Sequence, residues 1–277
     1  MQFDLPIVEL APAAPPATDE PSGFDDFWAR TLVRSREVEV TPDLEPALAP
    51  LGLIADDVSF PGLDGRPVRG RLVRPANAVV GLPTIVELRE AGGPFETDVA
   101  RFARAGFAHF TVEIEREDDL GDPFNRDVFT DALRAVQAMR TVPGIDPSRM
   151  AVIGTGRCAA SVVAIAGVLH DTACVVVDAP LVGAHRDALV AAARRATTPL
   201  LVGPGGEPGF GEIEAAWGAH SGEALGAMTQ QGGSVEAVER VRDASASAGT
   251  GGRTARQIEW VLAHTHQSEY FVPRVLN

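Results

Sequence analysis

Residues 150–160 carry the pattern with the clearest chemical meaning in this 277-residue chain. An apolar run at 151–153 meets a glycine-rich turn, and a long Ala- and Val-rich segment follows. Strand, sharp turn and buried helix is the arrangement that lifts a nucleophilic serine above a sheet edge in the pattern G-x-S-x-G. Here Gly156 takes the place of the serine, and Cys158 that of the second glycine. Because glycine has no side chain that could attack a substrate, we predict the frame of a nucleophilic site without its nucleophile.

The composition excludes several classes of function. The formal net charge is −14 and the isoelectric point is near 4.8, which argues against nucleic acid and against anionic membrane surfaces as partners. All 24 basic residues are arginine, which excludes Schiff-base chemistry on lysine. No apolar run approaches the ~20 residues of a membrane span, and the first residues lack a signal-peptide pattern. We therefore expect a soluble, cytoplasmic protein.

The two cysteines, Cys158 and Cys174, both lie in apolar surroundings. We predict that they are buried thiols, since nothing in the spacing of cysteine and histidine suggests a disulfide framework or a metal site. No cofactor and no metal are expected.

The order of the elements predicts the fold. Residues 1–22 are rich in proline and alanine, which indicates an extended arm, and residues 23–277 are expected to form a single domain. Apolar periodicity predicts helices at about 24–34, 96–105, 128–139, 212–220 and 254–264, a hairpin at 58–75, and strands at 83–88, 108–114, 151–153, 172–177, 198–203 and 235–241. Such alternation predicts an α/β fold with a mostly parallel sheet covered by helices on both faces.

Seven segments carry a family resemblance. They are Phe-Asp-Leu-Pro at 3–6, Phe-Asp-Asp-Phe-Trp-Ala-Arg-Thr at 24–31, Val-Ser-Phe-Pro-Gly at 58–62, Val-Arg-Gly at 68–70, Ala-Gly-Phe-Ala-His-Phe at 105–110, Val-Phe-Thr-Asp-Ala-Leu-Arg-Ala-Val at 128–136, and Pro-Gly-Ile-Asp-Pro-Ser-Arg at 143–149. With these motifs the chain resembles the acetyl xylan esterase / cephalosporin C deacetylase family of α/β-hydrolases. The resemblance implies an α/β-hydrolase fold, a Ser/Asp/His triad, an oxyanion-stabilising tyrosine and removal of acetyl groups.

Carried over position by position, the resemblance implies that each catalytic element has been replaced. The family's G-G-S-Q-G corresponds to residues 154–158, so that Gly156 stands at the serine, and its H-G-Y-G-G corresponds to residues 89–93, so that Ala91 stands at the tyrosine. The triad aspartate falls near Glu207 and the triad histidine near Gly249. The family's R-G-Q-G loop has no counterpart around 115–119, and the lid is shortened between 184 and 198.

Substitute nucleophiles and bases are few. Thr155 precedes the apex of the turn and is expected to point away from it. Cys158 follows the apex by two residues, where a small side chain normally packs strand against helix, although Cys158 with a nearby histidine is the sharpest rival enzyme hypothesis. His185, near the mouth of the shortened lid, is the least implausible replacement base.

Two arginines, Arg89 and Arg157, bring positive charge to the former catalytic mouth. They could form a site for an anion or for a partner's carboxylate, or they could simply pair with Glu90 or Glu207. Both interpretations remain open at this point.

Loss of nucleophile, base and oxyanion donor together, with the framework retained, points to relaxed selection for catalysis. We therefore expect a catalytically silent homologue that is a structural or regulatory subunit, associating with itself or with an active paralogous esterase. The alternatives are an enzyme or binding protein of a biosynthetic pathway that takes a small molecule in the remodelled pocket, and a weak carboxylic-ester hydrolase.

Overall fold

The computed structural model describes residues 23–78, 81–90, 100–114, 126–155, 158–169, 171–178, 192, 194–196, 198–202, 224–226, 257–258, 261–262 and 264–265. The helices within these ranges are α1 (Phe24–Ser35), α2 (Arg101–Arg104), α3 (Arg126–Thr141) and α4 (Ala159–Val168), with one 3-10 turn at Leu63–Gly65. The strands are β1 (Asp43–Ala47), β2 (Leu53–Pro61), β3 (Pro67–Pro75), β4 (Leu82–Glu90), β5 (Ala108–Ile114), β6 (Ile145–Thr155), β7 (Cys174–Asp178), β8 (Leu200–Val202) and β9 (Ala224–Gly226).

The nine strands form one sheet in the order β1-β2-β3-β5-β4-β6-β7-β8-β9. Strands β1, β2, β3 and β5 pair antiparallel, whereas β5, β4, β6, β7, β8 and β9 pair parallel. The predicted mostly parallel α/β sheet is thereby confirmed. Because parallel strands share a direction, the carboxyl ends of β4, β6 and β7 lie at one edge of the sheet, which is where ligands bind in open α/β sheets.

Helices cover both faces of the sheet, because successive side chains of each strand point to opposite faces. On β4, Val86 and Leu88 belong to the main core, which also includes residues of α1, α3 and α4. Ile85 belongs to a second core on the other face with Phe102 of α2 and Val261, which lies in a helical segment near the carboxyl end. The near-continuous apolar sequences of the central strands follow from this burial on both sides.

Most elements lie where the sequence predicts them, and the exceptions have physical reasons. The hairpin at 58–75 and the strands at 83–88 and 108–114 are confirmed as β2–β3, β4 and β5. Strand β1 was missed because it contains a proline and two acidic residues, a composition tolerated only at the edge of a sheet. Strand β9 was missed as well.

Several predictions fall outside the described residues. They are the arm at 1–22, the helix at 212–220, the strand at 235–241 and residues 96–99 of the helix predicted at 96–105, whose described part is helical over Arg101–Arg104. The single domain over 23–277 likewise stays a prediction. No helix in the described parts of the chain is long and apolar enough to cross a membrane.

Helix α3 holds the β2–β3 connection through Asp131. The backbone N–H of Leu63 donates a hydrogen bond to Asp131 Oδ1 at 2.6 Å. Asp131 is 7% exposed, and burial raises its pKa from the ordinary 3.8 to about 6, although this hydrogen bond and the charge of Arg66 oppose the rise. Near neutral pH the ionised carboxylate of Asp131 therefore lowers the stability of the folded protein.

The variant Asp131→Asn tests this cost. Because folding raises the pKa of Asp131, protonation of this side chain stabilises the folded protein. This contribution is complete below the unfolded-state pKa of 3.8 and is lost as the pH rises through about 6. Asparagine keeps an oxygen for the Leu63 N–H and carries no charge, so the variant should gain about 2–3 kcal/mol relative to the parent between pH 4 and 7. Urea denaturation across this pH range measures the difference. A gap that does not change with pH would contradict the prediction.

Candidate functional site

The carboxyl edge of the sheet is lined by the last residues of three parallel strands, Glu90 of β4, Thr155 of β6 and Asp178 of β7. The turn between β6 and α4 starts at this edge, so strand, turn and helix follow each other in the predicted order. The Thr155 hydroxyl donates to the carbonyl oxygen of Leu88 across the β4–β6 pair, at 3.3 Å. The hydroxyl proton of Thr155 is therefore engaged in a hydrogen bond within the sheet, which disfavours Thr155 as a nucleophile.

Cys158 lies at the start of α4, is 3% exposed and belongs to the main core. A thiol in this position contacts packed side chains rather than a substrate, which favours the packing role over the rival nucleophile. Cys174, on β7, is fully buried, and burial raises the pKa of its thiol far above the usual range. It is an inert core residue.

Six of the proposed site positions lie outside the described residues: Ala91, Gly156, Arg157, His185, Glu207 and Gly249. Their roles stay predictions from the sequence. Within the described residues, no group of three or more His, Cys, Asp or Glu side chains is arranged to hold a metal ion.

A charged network that the sequence analysis missed lies just before the carboxyl end of β4. Glu87 is fully buried, and its Oε1 accepts hydrogen bonds from Arg89 Nε at 3.0 Å, from Arg89 Nη2 at 2.9 Å and from Arg101 Nη2 at 2.7 Å. Arg89 stands at the end of β4 and Arg101 at the start of α2, so one carboxylate oxygen holds both ends of the connection between them. The described partner of Arg89 is Glu87. The side chains of Glu90 and Glu207 lie outside the described part of the chain, so the predicted pairing with either of them stays a prediction.

The second oxygen of Glu87 contacts His109, whose Nε2 lies 2.7 Å from Oε2. Since a carboxylate can only accept, Nε2 carries the proton of this hydrogen bond. The imidazole is fully buried and meets the ring of Phe102 edge-on at 4.9 Å, and Thr111 Oγ1 lies 3.3 Å from Nε2. His109 is thus a hydrogen-bonded core histidine.

Electrostatics explain why a carboxylate tolerates this burial. Loss of hydration on its own raises the pKa of Glu87, but the hydrogen bond from His109 and the charges of His109, Arg101 and Arg89 lower it further than burial raises it. The net result is a pKa well below the ordinary value of 4.5. Glu87 is therefore ionised near neutral pH.

A signal for this network exists in the sequence. Strand β4 reads Leu-Pro-Thr-Ile-Val-Glu-Leu-Arg-Glu, in which Glu87 and Arg89 are two residues apart and so share a face. An acidic residue inside a near-continuous apolar strand is almost never fully buried without a partner. That rule predicts a buried cation beside Glu87, but it does not identify Arg101 or His109.

Comparisons with known proteins agree with this architecture. The sequence profile described as acetyl xylan esterase (AXE1) matches residues 1–123 and 115–198, which is well over half of the chain. The chain belongs to the acetyl xylan esterase family. No curated protein sequence matches it.

Two solved structures of the family share the fold. The acetyl xylan esterase from Paenibacillus sp. R4 is 16% identical, with a TM-score of 0.73 over 90% of this chain and 97% of that one. Acetyl xylan esterase 1 from Thermoanaerobacterium sp. JW/SL YS485 is 14% identical, with a TM-score of 0.63 over 81% of this chain and 92% of that one. At these identities the likeness establishes the α/β-hydrolase fold alone.

Proposed function

We propose that this chain is a catalytically silent member of the acetyl xylan esterase family that acts as a structural or regulatory subunit. The observation that carries the proposal is the glycine at position 156 of the sequence, where the family resemblance places the serine. Acyl transfer needs a nucleophile, a base and oxyanion donors. Ala91 and Gly249, at the tyrosine and histidine positions, remove the other two.

Among the described residues next to the turn, the two candidates Thr155 and Cys158 are poorly suited to replace the nucleophile. The Thr155 hydroxyl donates to the Leu88 carbonyl, and Cys158 is 3% exposed within the main core. The strand and the helix on either side of the turn are nevertheless well packed, since Val152 of β6 and Val162 of α4 are fully buried in that core. A stable fold without reacting groups suits a protein that functions through its surfaces and not through catalysis.

Ester hydrolysis provides the first test. The purified protein should hydrolyse 4-nitrophenyl acetate no faster than buffer containing an unrelated protein of similar size. The variants Thr155→Ala and Cys158→Ala serve as matched controls, because they remove the two remaining hydroxyl and thiol candidates beside Gly156. Saturable hydrolysis by the parent protein would overturn catalytic silence, and its loss in either variant would identify the nucleophile.

Assembly provides the second test. Mass photometry of the protein alone, and after co-expression with a paralogous esterase from the same genome, measures which particles form. We expect a self-assembly or a mixed assembly, and in a mixed assembly an altered specific activity of the paralogue. A monomer that ignores every paralogue would contradict the subunit role while leaving catalytic silence intact.

A further inference from the structure

We propose that the tip of the β1–β2 hairpin is a docking surface for a cationic, apolar segment of another protein chain. The hairpin tip consists of residues 46–54, which join the edge strand β1 to β2. Leu48 and Leu51 are 96% and 105% exposed, and Ile54 is 44% exposed. A single exposed leucine is ordinary, but a cluster of exposed apolar side chains indicates an interaction site. This inference rests on the proposed subunit role and names a surface for it.

The apolar side chains of the hairpin tip continue the core-facing side of the sheet. Leu44, Pro46 and Leu48 alternate along the chain and therefore share a face. Leu44 packs against the main core, whereas Pro46 and Leu48 are exposed. The register of the β1–β2 pair, extended by one position, places Leu48 opposite Ile54. The face that packs on the core at Leu44 thus projects beyond it as an exposed apolar surface.

Backbone hydrogen bonds hold the hairpin tip in one conformation. The N–H of Leu53 donates to the carbonyl oxygen of Pro50 at 3.1 Å, and the N–H of Ala76 donates to that of Gly52 at 3.0 Å. Gly52 has a φ of 80°, a left-handed conformation that glycine adopts without strain. Because the turn is already ordered, docking of a partner loses little further conformational entropy.

The charges around the hairpin tip identify the kind of partner. Residues 37–57 contain six acidic side chains and no basic one: Glu37, Glu39, Asp43, Glu45, Asp56 and Asp57. Asp56 and Asp57 pair with arginines of β3, whereas the side chains of the other four make no ion pair within the described part of the chain. Glu45 is about 10 Å from Leu48 along an extended chain, comparable with the Debye length at physiological ionic strength. A segment that carries apolar and basic side chains is complementary to this combination.

Two other occupants match the hairpin tip less well. Glu45 is the central residue of β1, so a symmetric antiparallel pairing of two copies places it opposite its counterpart, where like charges repel. Pro46 has no N–H to donate, and proline on an edge strand disfavours the addition of a further strand. The arm at 1–22 contains four acidic residues and no basic one, so it does not supply the complementary charge.

Fluorescence anisotropy of the purified protein with short labelled peptides tests the proposal. The probe alternates leucine with arginine, a second peptide has glutamate in place of arginine, and a third has serine in place of leucine. We expect saturable binding of the leucine–arginine peptide alone, weakened by added salt. The double variant Leu48→Ser/Leu51→Ser should lower the affinity by about tenfold or more, because burial of one leucine contributes about that factor. Glu45→Gln should reduce the dependence of binding on salt.

Val33→Ser and Asp26→Asn are the matched controls, since both positions are exposed on α1, and they should leave the affinity unchanged. A measurement on the parent protein needs no substitution: the bound peptide should slow amide hydrogen exchange at 43–54 and leave that of α1 unchanged. Absence of saturable binding would overturn the proposal. Equal binding of the glutamate peptide, or an equal loss in Val33→Ser, would do the same.

Mass photometry of the double variant distinguishes failure of this surface from failure of the subunit role. We expect a mixed assembly with a paralogous esterase to dissociate when Leu48 and Leu51 are replaced. A mixed assembly that survives Leu48→Ser/Leu51→Ser would contradict the docking surface and leave the subunit role intact. Loss of a self-assembly in the double variant would show that a second copy occupies the hairpin tip, which also contradicts the proposal. Peptide binding at the hairpin tip without any assembly would contradict the subunit role alone.

Discussion

Glu87→Gln is expected to lower the free energy of unfolding by about 3–5 kcal/mol, the usual cost of removing one partner from a buried ion pair. Glutamine has the same shape and keeps one oxygen for Arg89 and Arg101, but it carries no charge. Two guanidinium groups, 15–16% exposed, would then face each other without a counter-charge. The packing is unchanged, so the loss isolates the electrostatic contribution. Urea denaturation near neutral pH measures it.

The pH dependence of this loss has a defined sign. The pKa of Glu87 is lowered by folding, so the stability that its charge contributes is present above the unfolded-state value of 4.5 and is lost as the pH falls below it. The gap between parent and variant should therefore be constant at neutral pH and shrink in acid. Asp57→Asn is the control, since its exposed pair with Arg71 is worth less than about 1 kcal/mol. Equal losses for Glu87→Gln and Asp57→Asn would contradict the assigned burial of the network.

Arg134→Met is expected to cost about 3–5 kcal/mol for a different reason. Arg134 lies on α3, is 1% exposed and donates to three backbone carbonyls: from Nε to Pro61 at 2.6 Å, from Nη2 to Val38 at 3.0 Å, and from Nη1 to Ser35. One side chain thus connects α3 to the end of α1, to the chain leading into β1, and to the end of β2. Methionine fills much of the volume but leaves all three carbonyls without this donor.

Denaturant unfolding of three variants separates the contributions. Arg134→Lys keeps the positive charge near Asp131 and some of the donors, so its loss should be smaller than that of Arg134→Met. Arg140→Met removes another arginine of the same helix, whose partner Asp171 has a 68% exposed side chain, and should cost less than about 1 kcal/mol. An equal loss of unfolding free energy for Arg134→Met and Arg140→Met would contradict the prediction. It would mean that the three carbonyls find other donors and that Arg134 does not connect these elements.

These two networks bear on function because both belong to the framework rather than to the turn at Gly156. Glu87 fixes the two ends of the connection that contains Ala91, and Arg134 fixes the amino-terminal elements to α3. A stable framework of this kind is what the proposed subunit role requires.

The sequence by itself determined the class of fold. A parallel sheet that is buried on both faces requires apolar strands, such as those at 83–88 and 108–114, and these alternate along the chain with amphipathic helices. It also supplied the prediction that the nucleophile is missing, since the identity of Gly156 is a property of the chain alone. Both inferences depend only on residues that are close together in the sequence.

The tertiary structure alone decided the pairings between distant residues. Glu87 meets Arg101 and His109, and Arg134 meets Ser35 and Pro61, across separations that no periodicity encodes. Strand β1 exists only because β2 offers it an edge, whatever the low strand propensity of Asp43–Ala47. A buried charge pairs with a residue on a neighbouring element. Because the order of the strands arises only in the folded sheet, the sequence does not identify that partner.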